Sequence, residues 1–346
     1  MHDALLQTPE GDRVRCGLCP HRCLIAEGSR GVCGARGVVD GRLVALTYGM
    51  VSSLAADPIE KKPVFHYCPG TRVLSLGSVG CSMKCGHCQN WQISRPKGDD
   101  GSVPLRYVGP EQIAGLAAES GCAGVAFTYN EPVIWLEYVI DAARRAHDEG
   151  LYTVMVTNGY ITPEALDLLA GHIDVWRVDI KGFHEETYRS LCHVGHAEAV
   201  RSAAQRAKVV CGMHVECVTN VVPGVNDSSA ELRLVARWIS CSLGPDTPWH
   251  VTRFMPYLEF ADLDPTPLST LMRAAEIGAE EGLNFVYLGN VDAPGGEDTV
   301  CPQCGAVAVR RTGFSADISR LAAGGRCPEC DTDLNMYVCG DDTNHA

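Results

Sequence analysis

The chain of 346 residues contains no apolar run long enough to span a membrane, which argues against a transmembrane helix. The opening stretch, Met1 to Arg15, is polar and mixed in charge, without the apolar core of a signal peptide. A cytoplasmic location is therefore expected. Positive charge is also scarce: 29 Lys and Arg stand against 42 Asp and Glu, a net charge of −13. Non-specific nucleic-acid binding needs a basic footprint, so that class is disfavoured, although a local basic pocket is compatible with the balance. There is no internal repeat and no low-complexity tract. The length suits one large domain with small appendages.

Cysteine is abundant instead, with 18 in the chain. In a reducing compartment such usage points to metal ligation or catalysis, not to a disulfide framework. Chance would give roughly one C-x-x-C pair at this frequency. Four are present: Cys16/Cys19, Cys85/Cys88, Cys301/Cys304 and Cys327/Cys330. They mark three zones, Cys16–Cys33, Cys81–Cys88 and Cys301–Cys330.

Between the second and third zones, strand and helix patterns alternate. Short runs rich in Val, Ile and aromatics predict strands at Arg72–Val79, Gly124–Thr128, Thr153–Val156, Val175–Ile180, Met213–Thr219, His250–Phe254 and Phe285–Leu288. Helical periods fall between them: one starting at Pro110, then Pro132–Glu149, Pro163–Ala170, Ser228–Ile239 and Leu268–Glu281, the last stopped by Gly282. Repeated strand–helix units imply an α/β fold with a parallel sheet. Almost every predicted strand runs into a polar turn, among them Cys81–Cys88, Tyr129-Asn130-Glu131, Thr157-Asn158-Gly159, Asp179-Ile180-Lys181 and Gly289-Asn290. A (β/α) barrel puts all these ends on one face, whereas a doubly wound sheet concentrates function at a single switch point. A full or partial (β/α) barrel is therefore expected over residues 71–291. It is flanked by a Cys-rich segment at 1–70 and a ribbon-like module at 292–346.

Cys81-x3-Cys85-x2-Cys88 offers three thiolates in one loop behind a strand. A [4Fe–4S] cluster usually takes four cysteines, so three leave one iron open. By chance the spacing would arise in about one chain in twenty of this cysteine content, so it is suggestive alone. A zinc site completed by His87 would use the same residues. The loop context decides between them. The sequence here resembles the radical SAM (S-adenosylmethionine) superfamily, whose motif has this spacing after the first barrel strand. Cys88-Gln89-Asn90-Trp91-Gln92-Ile93-Ser94, Asp57-Pro58-Ile59-Glu60-Lys61-Lys62-Pro63 and Thr128-Tyr129-Asn130-Glu131-Pro132 are similar to the AmmeMemoRadiSam radical SAM proteins, relatives of the pyruvate formate-lyase activating enzymes. His87 stands where the superfamily usually has an aromatic residue.

The resemblance implies that SAM is cleaved reductively to methionine and a 5′-deoxyadenosyl radical, which takes a hydrogen from a substrate. It implies SAM contacts from His87, Gln89, Asn130, Glu131, Asn158, Asp179, Lys181 and His250. It further implies an electron donor such as ferredoxin or flavodoxin, and Memo-like and AMMECR-like partner proteins. From the residues alone, Glu131 also suits the start of a helix at Pro132, and Asp179 and Lys181, two apart on a strand, suit a plain ion pair. Asn158 equally suits a turn. His250 and Arg253 equally suit structural hydrogen bonds.

The outer zones read as metal sites. Cys301-Pro-Gln-Cys304 and Cys327-Pro-Glu-Cys330, 22 residues apart, predict a zinc ribbon or rubredoxin-like site. Cys16, Cys19, Cys23 and Cys33 suit either Zn(2+) or an auxiliary Fe–S cluster, with His21 available in place of one thiolate. Cys68, Cys122, Cys192, Cys211, Cys217 and Cys241 have no ligand spacing and are expected as small buried apolar residues. Cys339 is left over.

Overall fold

The computed structural model describes residues 2–95 and 103–340, so 341–346 of the expected C-terminal module lie outside the described residues. No helix among the described residues is long and apolar enough to cross a membrane. All seven predicted strands form, within two residues of the expected bounds. With one additional edge strand they build the core sheet: β1 (Ser53–Pro58), β2 (Arg72–Gly77), β3 (Gly124–Phe127), β4 (Tyr152–Thr157), β5 (Val175–Asp179), β6 (His214–Val221), β7 (Trp249–Arg253) and β8 (Val286–Gly289). Strands β2 to β8 are parallel, and β1 pairs antiparallel with β2.

Each strand lies beside its successor in sequence, so the sheet winds in one direction and has no switch point. That order is the barrel order. Among the described residues β1 and β8 remain edges, and the sheet stops short of a complete barrel. Because Ser53–Pro58 belongs to this sheet, the boundary expected at residue 70 falls inside a strand pair.

The outer face is covered by helices α1 (Ile113–Glu119), α2 (Leu136–Asp148), α3 (Pro163–Leu169), α4 (Glu185–Cys192), α5 (Ala197–Val209), α6 (Ser229–Trp238) and α7 (Leu268–Glu280). Strand alternation sorts the side chains. Leu74, Leu76, Phe127, Met155, Trp176 and Val178 pack outward in the main core. Val73, Ala126, Val154 and Val175 face inward, where they meet Ile59, Val64 and Cys68. Gly282, at φ +87°, ends α7 as expected, a backbone conformation that costs glycine little.

Residues 59–68 thus plug the lower interior of the sheet. Glu216 on β6, fully buried, accepts hydrogen bonds from the Phe65 and His66 backbone N–H groups at 2.9 and 2.8 Å. It also accepts from His214 and His250 at 3.0 and 2.7 Å. The C-terminal module closes the plug from outside. Phe65, Phe285, Tyr287, Ala308, Val309, Leu334 and Met336 share a core, and Arg311 sits over the Phe65 ring at 4.1 Å. Cys68 and Cys339 form a disulfide between plug and module. This corrects the expectation for both cysteines, since 271 residues of sequence separate them and no local spacing announces the pair. Cys122, Cys192 and Cys217 are buried as expected, but Cys211 is only half-buried and Cys241 is exposed.

Candidate active site

The upper ends of the strands open into one cleft of about 450 Å³. Its walls include Cys81, Cys85, His87, Cys88 and Gln89 from the loop after β2, and Asn130, Glu131 and Asn158 from the next two turns. Arg177, Asp179 and Lys181 complete the charged side. Residues from seven successive strand ends, β2 to β8, can share one cleft only because the sheet curves.

The cysteine loop is held from three directions. Gly80, at φ +94°, lets it leave β2 tight against the carbonyl of Cys33, which leaves no room for a Cβ at Gly80. The Lys84 and Gly86 N–H groups donate to the carbonyls of Cys192 and Leu191 at the end of α4, at 3.1 and 2.8 Å. The side-chain amide of Asn130 also ties the loop down. Its Oδ1 accepts from Ser78 N–H and its Nδ2 donates to Gly80 O, both at 3.0 Å. Asn130 therefore secures the loop and lines the cleft as well. Asn158 Nδ2 reaches Cys81 Sγ at 3.6 Å and Ser82 Oγ at 3.3 Å.

Glu131 lines the cleft and takes the helix-start role that its place before Pro132 suggests. Its carboxylate caps the short helix Pro132–Trp135 through Val133 N–H at 2.9 Å and also accepts from Thr157 Oγ1 at 2.6 Å and Asn158 N–H at 2.8 Å. Burial still pushes its pKa up to about 7 against these bonds. Asp179 carries two cations. Lys181 Nζ lies 2.7 Å from Oδ2, and Arg177 bonds Oδ1. Burial would raise Asp179, but Arg177 and Lys181 outweigh it and hold the carboxyl down at about 2. Burial alone would pull Lys181 down, yet Asp179 keeps it above the usual lysine value. The cleft wall is therefore a fixed cation–anion–cation row. Arg177 was missed by the sequence reading, although strand period two from Asp179 signals it. Lys61, Lys62 and Tyr129 were missed as cleft residues too. Lys62, buried, and Tyr129 both bond Asp57, at 2.7 and 2.6 Å, which links the plug to the cleft.

His250 does not line the cleft. Its Nε2 faces Glu216 below, and its ring packs against Phe65 at 4.6 Å, so the expected SAM contact is replaced by a structural bond. Arg253 is likewise absent from the lining.

The donor set can be tested against a [4Fe–4S] cluster and SAM. All three thiols of the loop face the cleft, and Cys85 lies in the electrostatic field of both Cys81 and Cys88. Among the described residues, only Cys301, Cys304, Cys327 and Cys330 bring their ligand atoms all within 4.8 Å of one another. That tight set suits a single ion, whereas the catalytic three are not gathered so closely, which leaves room for a larger cluster. Cys85 is held near a pKa of about 7, first by a hydrogen bond with Cys192 and then, against burial, by Lys181. His87 Nδ1 is buried without a hydrogen-bond partner among the described residues, and burial pulls its pKa down to about 3. A neutral imidazole edge in the cleft suits an aromatic ligand such as adenine. The residues fit both groups.

In the N-terminal segment, Cys19 feels the charge of Cys16, Cys23 and Cys33 together. His21, which lies within that segment, is bonded through its Nε2 to Ser82 O at 2.7 Å.

Residues 76–235 match the family model described as the Radical SAM superfamily. The chain is 40% identical to Uncharacterized protein MJ0808 of Methanocaldococcus jannaschii, over 95% of this chain and 97% of the relative. It is 25% identical to a pyruvate formate-lyase-activating enzyme of Clostridium pasteurianum, over 49% of this chain and 70% of that enzyme. Among solved structures, a radical SAM methyltransferase from Sphaerobacter thermophilus shares the fold at a TM-score of 0.50 and 17% identity, covering 64% of this chain and 66% of that one.

Proposed function

The chain belongs to the radical SAM superfamily and is an enzyme of that class, and from this premise we propose how its cleft is used. Cys81, Cys85 and Cys88 hold three irons of a [4Fe–4S] cluster and leave the fourth for SAM. When bound, the cluster supplies the electron that cleaves SAM to methionine and a 5′-deoxyadenosyl radical for hydrogen abstraction. Lys181, with Arg177 and Asp179 fixing its position, meets the carboxylate of SAM. Glu131, ionised when SAM is present, faces the ammonium. His87 edges the adenine. The single observation that carries this reading is the shared cleft: three loop thiols and the Arg177–Asp179–Lys181 row line the same 450 Å³.

The reaction partner is assigned from resemblance. The motifs around Asp57–Pro63, Cys88–Ser94 and Thr128–Pro132 support membership of the AmmeMemoRadiSam system, with Memo-like and AMMECR-like proteins as partners and a ferredoxin or flavodoxin as donor. The likeness to pyruvate formate-lyase-activating enzymes favours a second reading, in which the hydrogen is taken from a glycine of a large partner enzyme. Anaerobic incubation with each candidate partner separates the two. A glycyl radical signal on a partner supports the second reading, and a small modified product found by mass supports the first.

The C-terminal module holds zinc in this reading. Its four thiols make a closed tetrahedral shell with no open position, the pattern of a structural site.

A further inference from the structure

We propose that Cys16, Cys19, Cys23 and Cys33 hold a second iron–sulfur cluster, of [4Fe–4S] type, placed to feed electrons to the catalytic centre. Three independent observations carry this.

The first is spacing. A single tetrahedral ion with metal–sulfur bonds of about 2.3 Å draws its sulfurs to within roughly 4 Å of one another. The C-terminal four meet that condition, and the N-terminal four do not, although all lie close enough to act on Cys19 electrostatically. In this they match Cys81, Cys85 and Cys88. Among the described residues, the N-terminal set is thus not gathered around a single-ion point, which leaves room for a larger cluster.

The second is Arg36. It is fully buried, and its Nη1 lies 3.7 Å from Cys16 Sγ. Its field also reaches Cys33. Glu137 on α2 fixes the guanidinium by an ion pair. Its Nε has no hydrogen-bond partner among the described residues. A buried cation with a spare N–H beside two of four thiols suits an anionic cluster with bridging sulfides to accept it, and such hydrogen bonds tune cluster potentials.

The third is position. Cys33 O packs against Gly80, next to Cys81. His21, two residues from both Cys19 and Cys23, is bonded to Ser82 O. Tyr160 lies in the field of Cys19 and Cys23, and its N–H donates to Asn158 Oδ1 at 2.9 Å, while Asn158 Nδ2 reaches Cys81 Sγ. One short covalent and hydrogen-bonded route, through His21 and Ser82, therefore joins the sites, and Cys33 packs directly against the loop beside it. In the transfer, a low-potential one-electron donor of ferredoxin or flavodoxin class is oxidised, the second cluster is reduced and reoxidised, and the catalytic centre gains one electron. No bond or proton moves.

The test uses the full chain, reconstituted without oxygen. The variant Cys81→Ala/Cys85→Ala/Cys88→Ala should still bind about four irons and four sulfides and give a cluster signal on reduction. Cys19→Ala/Cys33→Ala, in the otherwise intact chain, should lose about half the iron of the parent. It should keep SAM cleavage with a small-molecule reductant and lose most of it with a protein donor. Zinc in place of iron in the triple variant, or full iron retention in the double variant, overturns the proposal. Equal rates with both kinds of donor overturn the electron route. Should the triple variant fail to fold, the iron count of the double variant decides alone. Absence of SAM cleavage in the fully iron-loaded parent would count against the catalytic reading and leave this site's iron content as a separate result.

Discussion

Lys181→Met removes one cation from the row that faces the cleft while keeping side-chain length. Asp179 does not become an orphan, because Arg177 still bonds its other oxygen. The stability loss should therefore fall below the roughly 3–5 kcal/mol typical of breaking a buried pair outright. SAM is affected more sharply. Its carboxylate loses one charge-assisted partner worth about 1.5–3 kcal/mol, which is roughly a ten- to hundred-fold rise in Kd. The assay is SAM titration of the reduced protein, followed by the change in the cluster's EPR spectrum. Lys181→Arg should recover part of the affinity, since the charge returns in a bulkier form. Parent-like affinity in Lys181→Met, with the cluster intact, would show that the Asp179–Lys181 pair is structural and that the ligand's carboxylate lies elsewhere.

Other outcomes follow from the same geometry. Glu131 is neutral below about pH 7 and ionised above it, so SAM affinity should rise as pH increases through that value. In Glu131→Gln this rise should disappear, as seen by titration across the pH range; an unchanged profile would remove Glu131 from the site. Cys301→Ala/Cys304→Ala should lose one zinc by metal analysis and make the tail sensitive to protease, with the catalytic iron retained; loss of iron instead would place an iron centre in the tail. Phe65→Ala, which empties the space between His250, Tyr287 and Arg311, should cost about 3–5 kcal/mol in denaturant unfolding, and a loss under about 1 kcal/mol would show that the plug does not anchor the sheet.

The alternation of apolar runs and polar turns was enough to place seven parallel strands and the face that carries the site. The edge strand Ser53–Pro58 was not legible, because Ser53-Leu54-Ala55-Ala56 lacks β-branched residues and Pro58 ends it. Nor were α4 and α5, where the turn His193–His196 joins two short amphipathic segments without a strong cap. At the site, the cysteines and the Asp179–Lys181 pair could be placed from local spacing. That Asn130 also ties down the cysteine loop was not legible, since its bonds to Ser78 and Gly80 link segments about fifty residues apart. His250 points to the plug for a similar reason: Phe65 and Glu216, which decide its environment, come from distant parts of the chain. Lys62 lies inside the Asp57–Pro63 motif, but nothing local says that Asp57 and Tyr129 hold it at the cleft.

The central claim is that the Cys81–Cys88 loop carries the centre that cleaves SAM. The direct measurement is quantification of 5′-deoxyadenosine and methionine from anaerobically purified, reduced protein beside its Cys85→Ala variant. The parent should form both products in equal amounts, and the variant should form neither while keeping its fold and the metal of its outer sites. Continued cleavage by Cys85→Ala, or none by an iron-replete parent, would contradict the account.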